Sequence, residues 1–292
     1  MLVGEPRVRA LENRRGILAM VLGMAFFLAN DTLVKLASAD LPTGQLICLR
    51  GLMACLWLLL MCAQRGLLTQ WRSLREPVIW VRGAFDGLSS IAYLTALIHL
   101  PLANATAINL ASPLFILVLA VIFLKERLQW VRTLAALVGF GGVLLIVRPS
   151  GDGFNVYAWL CVLGTLGHAI RDLLTRRISG DVPGLLITLA TAASVTALSG
   201  LWSLATPWVS VPIQTWVWLG LASGCLAGAY FLIITAMRHG EMGVIAPFRY
   251  SALLYALVLG YLIWGEIPDA WTWMGIALLV GAGLCLIWSN RK

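Results

Sequence analysis

Ile17–Pro42 reads ILAMVLGMAFFLANDTLVKLASADLP. This apolar run is long enough to cross a bilayer, which takes about 20 residues. Its second half nevertheless carries Asn30, Asp31 and Lys35. The same layout returns 141 positions later in Ala158–Pro183, AWLCVLGTLGHAIRDLLTRRISGDVP. At that offset Gly23 falls on Gly164, Asp31 on Asp172, Lys35 on Arg176, Ser38 on Ser179, Asp40 on Asp181 and Pro42 on Pro183. A membrane segment with charges inside it, used twice, is the feature around which the rest of the chain is read.

The composition agrees with a membrane setting. The 292 residues are 60% hydrophobic and 12% charged, with a mean hydropathy of +0.89. A soluble chain is about half apolar and about a quarter charged, so an all-α polytopic membrane protein is expected. The formal charge of +8 sits in short loops between apolar runs. That placement writes membrane topology and gives no reason to expect nucleic acid as a partner. Cys48, Cys55, Cys62, Cys161, Cys225 and Cys285 all lie in apolar runs without CxxC or Cys/His spacing. They read as packing residues, and no metal site is expected. No GxxxxGK[ST] loop occurs, so neither ATP-driven transport by this chain nor another cofactor is expected. Residues 1–16 bring Arg7, Arg9, Arg14 and Arg15 ahead of the first span. That span is long and holds Asp31 and Lys35, so it reads as a retained helix rather than a signal peptide.

Ten spans are expected, at about 17–38, 43–63, 78–98, 102–123, 131–148, 156–177, 183–204, 213–236, 244–264 and 271–289. Pro42, Pro77, Pro101, Pro149, Pro183, Pro212, Pro268 and the cluster Lys125-Glu126-Arg127 mark the breaks. Ten crossings put both termini on one side. That side collects Arg65, Arg72, Arg75, Arg82, Lys125, Arg127, Arg132, Arg176, Arg177, Arg238, Arg291 and Lys292 with the N-terminal arginines, against Arg148 and Lys35 on the other. Both termini are therefore expected in the cytoplasm.

The repeat extends beyond its first segment. Ala96, His99 and Glu126 fall on Ala236, His239 and Glu266 at offset 140, and Gly139 and Gly141 on Gly281 and Gly283 at offset 142. Residues 17–148 and 156–289 thus form two five-span halves after a short cytoplasmic segment, 1–16. Five is odd, so the second half enters from the opposite side. An inverted repeat of this kind is a known plan for secondary transporters, with the substrate near the midplane between the halves.

These features resemble the drug/metabolite transporter superfamily, in its ten-helix EamA type. The resemblance rests on the Pro42…Arg50 spacing, on PLANATAINLASPLFILVLAVIFLKERL (Pro101–Leu128) with its Pro113 and Glu126, and on the glycine-rich Thr133–Ile146. The second copy keeps Glu266 and the glycine-rich Met274–Ile287 but has Leu253 where the first has Pro113. Within the superfamily the chain looks most like bacterial exporters of aromatic amino acids. The resemblance implies a multi-pass protein of the bacterial inner membrane in which one chain suffices, though a dimer is compatible with it.

Polar groups inside a membrane are costly and face a cavity or a partner. Asp31–Lys35, Asp172–Arg176 and Arg82–Asp86 are i,i+4 pairs, each on one helix face. Either they neutralise themselves locally, or Asp31 and Asp172, in opposite halves of the membrane, gate opposite mouths. His168 shares the face of Asp172. Arg249, in Ala246-Pro247-Phe248-Arg249-Tyr250, is either the clamp for a substrate carboxylate or a structural partner of Asp86 or Asp172. Asn30 and Asn109 are expected to offer neutral hydrogen bonds, and Phe27, Tyr93, Tyr230 and His168 to line the cavity. Ser89 and Ser90 continue the polar face of Asp86, while Arg50 reads as structural, paired with an acid on span one. The thirteen Trp mostly sit near helix ends, where interfacial Trp belongs. Gly83-x3-Gly87 and Gly220-x3-Gly224-x3-Gly228 mark expected close helix contacts.

The expectation is an alternating-access carrier that exports amino acids with aromatic or large apolar side chains. Efflux of drugs or other metabolites on the same fold is the first alternative. A membrane-embedded enzyme lacks a second His or Cys motif near His168 and Asp172, and a channel lacks a charged ring.

Overall fold

The computed structural model describes residues 6–124, 130–147, 155–239 and 242–289. Lys125, Glu126, Arg127, Arg148, Pro149, Arg291 and Lys292 lie outside them, as do the side chains of Arg7, Arg9, Arg132, Arg238, His239 and Trp288. The described chain is helical, with no strand among the described residues. The helices are α1 (Pro6–Ala37), α2 (Thr43–Gln64), α3 (Pro77–His99), α4 (Leu102–Asn109), α5 (Ser112–Leu124), α6 (Trp130–Val147), α7 (Val156–Thr175), α8 (Gly184–Ser203), α9 (Ile213–His239), α10 (Met242–Ile245), α11 (Ser251–Trp264) and α12 (Ala270–Ser289). Two 3-10 segments, Leu67–Arg75 and Ala246–Tyr250, join α2 to α3 and α10 to α11.

Local chemistry explains the ends. Pro42, Pro101 and Pro183 precede α2, α4 and α8, and Pro77 opens α3; a prolyl ring suits a helix start because no N–H is needed there. Within the fourth apolar stretch Pro113 cannot donate to the carbonyl of Asn109, and the helix breaks between α4 and α5. Pro247 has the same effect in the ninth, where the 3-10 segment replaces regular helix. Gly265 turns with φ +66, and Glu266 N–H bonds back to Gly260 O at 3.1 Å. That left-handed stop suits glycine and aims Glu266 across the end of the bundle.

Six described helical stretches are long and apolar enough to cross a membrane: Leu11–Ala37, Thr43–Gln64, Leu102–Phe123, Gly184–Ser203, Ile213–Met237 and Ala246–Trp264. Helices α3 and α7 are not among the six, and they carry Arg82, Asp86, His168, Arg171 and Asp172. Large apolar side chains such as Leu56, Leu60, Phe123, Leu201 and Leu262 stand exposed on the outside, a surface suited to lipid. Trp71, Trp80, Trp130, Trp208, Trp216, Trp271 and Trp273 are exposed with them.

The main packing pairs are α1 with α9, α3 with α7, α2 with α8, α3 with α8, α2 with α9, α6 with α12 and α4 with α11. Exchanging each helix for its sequence counterpart turns the α1–α9 contact into α7–α3, and α2–α9 into α8–α3. Close approach depends on small residues. A Cβ on Gly164 would lie 2.9 Å from Tyr93 N and 3.0 Å from Ser89 O, so α7 touches the backbone of α3. Gly87 meets α8 at Val195 and Leu198, whereas Gly228 meets only the Phe26 ring and Gly220 nothing within 4 Å. The glycine stripe of α3 therefore marks a tight contact, and that of α9 does not do so along its whole length.

Gly164→Val is expected to lower stability by about 1–3 kcal/mol, because overpacking must push α3 and α7 apart. Gly220→Val should leave it unchanged. Thermal unfolding followed by tryptophan fluorescence in detergent reads both; equal melting points for the two variants would refute the contact.

Candidate functional site

Five helices supply a ladder of polar side chains inside the bundle. Arg50 on α2 donates from Nη1 to Asn30 Oδ1 on α1 at 3.1 Å. Asn30 Nδ2 donates to Asp31 Oδ1 at 2.9 Å, and Tyr93 on α3 donates from its hydroxyl to Asp31 Oδ2 at 2.8 Å. The Tyr93 ring lies 6.0 Å from that of His168 on α7. His168 sets Nδ1 3.4 Å from Asn109 Oδ1 on α4 and Nε2 3.9 Å from Asp86 Oδ1 on α3. Arg171 closes the ladder, with Nη1 donating to Asp86 at 2.5 Å and Nη2 to Asp172 at 2.7 Å.

Helical phase explains this convergence. Asn30 and Asp31 sit on the face of α1 that α9 and α3 cover, and Asp86 and Tyr93, seven residues apart, share one face of α3. Tyr230 on α9 stands in the electrostatic range of Arg50, Arg82, Asp86 and Arg171. Its ring meets Phe27 edge-on at 5.4 Å, which sets an aromatic wall beside the charges. Among the described residues, no three His, Cys, Asp or Glu side chains converge to hold a metal.

None of the three expected i,i+4 pairs forms, and two of them give way to partners remote in sequence. Lys35 reaches Glu266 Oε1 at 2.7 Å rather than Asp31. Asp172 pairs with the adjacent Arg171, while Arg176 is exposed. Asp86 pairs with Arg171, while Arg82 donates to Thr175 Oγ1 at 2.7 Å and also to Thr191. A flexible i,i+4 contact on a helix surface is worth only a few tenths of a kcal/mol, so a well-placed partner on a neighbouring helix takes over. Arg50 finds its partner on α1, but that partner is the amide of Asn30. Arg249 is exposed in the 3-10 segment and makes no ion pair with Asp86 or Asp172, whose partners are His168 and Arg171.

Glu266 is the residue whose role the sequence reading missed. It served there only to mark the repeat. Lys35 Nζ donates to Glu266 Oε1 and to Leu100 O, both at 2.7 Å, and lies 4.7 Å from the centre of the Trp264 ring. Glu266 Oε2 accepts from Leu102 N at 2.7 Å, so the carboxylate also caps α4, where negative charge is favoured. One cation thus ties the end of α1, the α3–α4 turn and the α11–α12 turn together. Beside this latch lies a cleft of about 290 Å³ lined by Leu100, Pro101, Asn104, Asn155, Glu266 and Asp269 among others.

Known proteins resemble this chain in sequence and in fold. The sequence model of the EamA-like transporter family matches twice, over residues 14–148 and 155–289. The pseudopaline exporter of Pseudomonas aeruginosa (strain UCBPP-PA14) is 30% identical over 286 residues, covering 96% of this chain and 97% of the exporter. The S-adenosylmethionine uptake transporter of Rickettsia bellii is 28% identical, covering 95% and 94%. The riboflavin transporter of Rhizobium johnstonii is 29% identical over 223 residues, covering 76% and 72%. A solved crystal structure superposes with a TM-score of 0.64 at 18% identity, over 97% of this chain and 99% of that one, a likeness of fold.

Proposed function

Because the chain belongs to the EamA-like transporter family, we propose that it is a secondary, alternating-access carrier of small organic metabolites in a bacterial inner membrane. The observation that carries this reading is the ladder from Arg50 to Asp172. It is polar, buried at Asn30, Arg50, Asp86 and Tyr93 and partly buried elsewhere, and it joins helices of both family-matched segments. Such groups inside an apolar bundle favour a hydrated or ligand-lined path over a purely structural core. The paired exchange of helix contacts supports two five-helix halves related by inversion, hence ten spans with both termini in the cytoplasm. In that frame the Lys35–Glu266 latch closes the periplasmic mouth, and the halves rock about the ladder.

The substrate range proposed here is small metabolites rather than aromatic amino acids in particular. The relatives are named for pseudopaline, S-adenosylmethionine and riboflavin, and both export and uptake occur among them. The Phe27–Tyr230 edge contact supports a substrate with an apolar or aromatic part. Asn109 and His168 supply neutral contacts at the α4–α7 side. Arg249 is reserved for a conformation in which α11 has moved, since here it is exposed and makes no ion pair with Asp86 or Asp172.

Counterflow tests the proposal. Purified protein in proteoliposomes preloaded with one compound is challenged with labelled amino acids, S-adenosylmethionine, riboflavin and cationic drugs, with and without a pH gradient. Saturable counterflow of at least one compound is the expected result. Turnover to a chemically altered product would instead identify a membrane enzyme, and no saturable exchange would overturn the carrier.

A further inference from the structure

The Arg50–Asn30–Asp31 unit differs from the other charged groups of the ladder. Asp86 and Asp172 each touch Arg171 directly, and Glu266 touches Lys35. In each of these the opposite charges meet directly. Among the described residues, neither Asp31 nor Arg50 has an opposite charge within 4.0 Å. Asn30 stands between them, with its amide NH₂ on Asp31 and its amide oxygen on Arg50. Asn30 is 2% exposed and Arg50 6%. The guanidinium also holds a buried Nε with no hydrogen-bond partner. Holding a cation and a carboxylate apart inside the bundle, with one donor unmet, is expensive. A direct salt bridge would lower that cost, so the separation calls for another explanation.

The carboxamide supplies one. It offers a donor to the acid and an acceptor to the guanidinium, which is the polarity of an ammonium and a carboxylate on neighbouring atoms. Asn30 thus occupies the place that the head of a zwitterion would fill. We propose that Asn30, Asp31 and Arg50 form a head-group receptor that selects metabolites carrying an ammonium next to a carboxylate. Asp31 takes the ammonium, aided by the Tyr93 hydroxyl that orients its second oxygen. Arg50 takes the carboxylate with Nη1 and the spare Nε, a fork matched to two oxygens. Asn30 swings aside as the substrate enters and closes the pair again when it leaves. The unit therefore has a polar state of its own when empty, which a carrier needs for the return step. Phe27 is three residues before Asn30 on α1, and its contact with Tyr230 sets the aromatic wall where the substrate's side chain would extend.

This assignment rests on the carrier reading, and the test separates the two. Wild-type protein in proteoliposomes is screened by counterflow with the twenty standard amino acids. For each one exchanged, the decarboxylated amine and the des-amino acid are then tried as competitors. The amino acid should compete, and each half-molecule should bind about tenfold more weakly or worse, because it leaves a buried charge unmet. This comparison needs no variant. In a second arm, Asp31→Asn should raise KM for the amino acid about tenfold or more while leaving the des-amino acid unaffected. Arg50→Gln should do the converse for the amine. Size-exclusion chromatography establishes that both variants are folded. Saturable exchange confined to compounds that lack either group, or equal competition by the half-molecules, overturns the receptor while the carrier stands. If no compound from the wider metabolite panel exchanges, the carrier reading itself falls.

Discussion

Arg171→Gln is expected to destabilise the protein by about 3–5 kcal/mol, the usual cost of removing one member of a buried ion pair. Asp86 has a side chain only 4% exposed and sits 2.5 Å from Nη1. Asp172 takes a second guanidinium nitrogen at 2.7 Å. Without Arg171 two carboxylates face each other across the α3–α7 contact, with His168 as the nearest titratable neighbour of Asp86. The melting temperature in detergent should fall sharply and the monodisperse fraction with it. Adding Asp86→Asn to Arg171→Gln should recover part of the loss, because the remaining amide can be satisfied without a charge. A melting temperature unchanged by Arg171→Gln would mean that water already screens the cluster, and the ladder would then lie in an open aqueous path.

The latch gives the second large effect. The double variant Lys35→Met, Glu266→Gln removes both charges, so neither is stranded, and it isolates gating from folding. In the proposed frame it weakens the closed periplasmic mouth by the worth of one charged hydrogen-bond set, enough to shift the open population about tenfold or more. A cysteine introduced at the buried Ala103, in a background with the native cysteines replaced, reports the change. Its reaction with a membrane-impermeant maleimide should be slow with the latch intact and about tenfold faster in the double variant. Equal rates would show that the Lys35 end is held shut by packing alone, with Leu97, Leu100 and Ile108 as the core there. The single variant Lys35→Met should be less stable than the double, since it leaves Glu266 with only the Leu102 amide.

Much of the architecture can be read in the residues because it depends on local rules. Apolar length, the starts at Pro42, Pro77, Pro101 and Pro183, and the weak points at Pro113 and Pro247 follow from hydropathy and from the missing prolyl N–H. The charged residues inside these runs were also legible, since any ionisable group there is conspicuous. Their partners were not. Spacing of four residues places Lys35 beside Asp31 on a helix surface, yet the ammonium goes to Glu266, 231 positions away. Nothing local distinguishes those outcomes, because the energy of an i,i+4 pair is small and the choice is made by what neighbouring helices present. Arg249 shows the same dependence on packing. Its sequence neighbourhood suggests a ligand clamp, and the 3-10 segment around Pro247 leaves it exposed.

The first quoted stretch holds both lessons. Its length, its internal polar residues and its echo at Ala158–Pro183 are properties of the chain alone, and they suffice for a polytopic transporter. Hydrophobicity and periodicity act over a few turns, so a linear reading captures them. Whether Asn30 merely lies beside Asp31 or holds it apart from Arg50 depends on how α1 and α2 meet. Whether Lys35 serves α1 or the far turn at Gly265 depends on how α11 ends. Those are questions of distance and desolvation between segments remote in sequence, and only packing answers them.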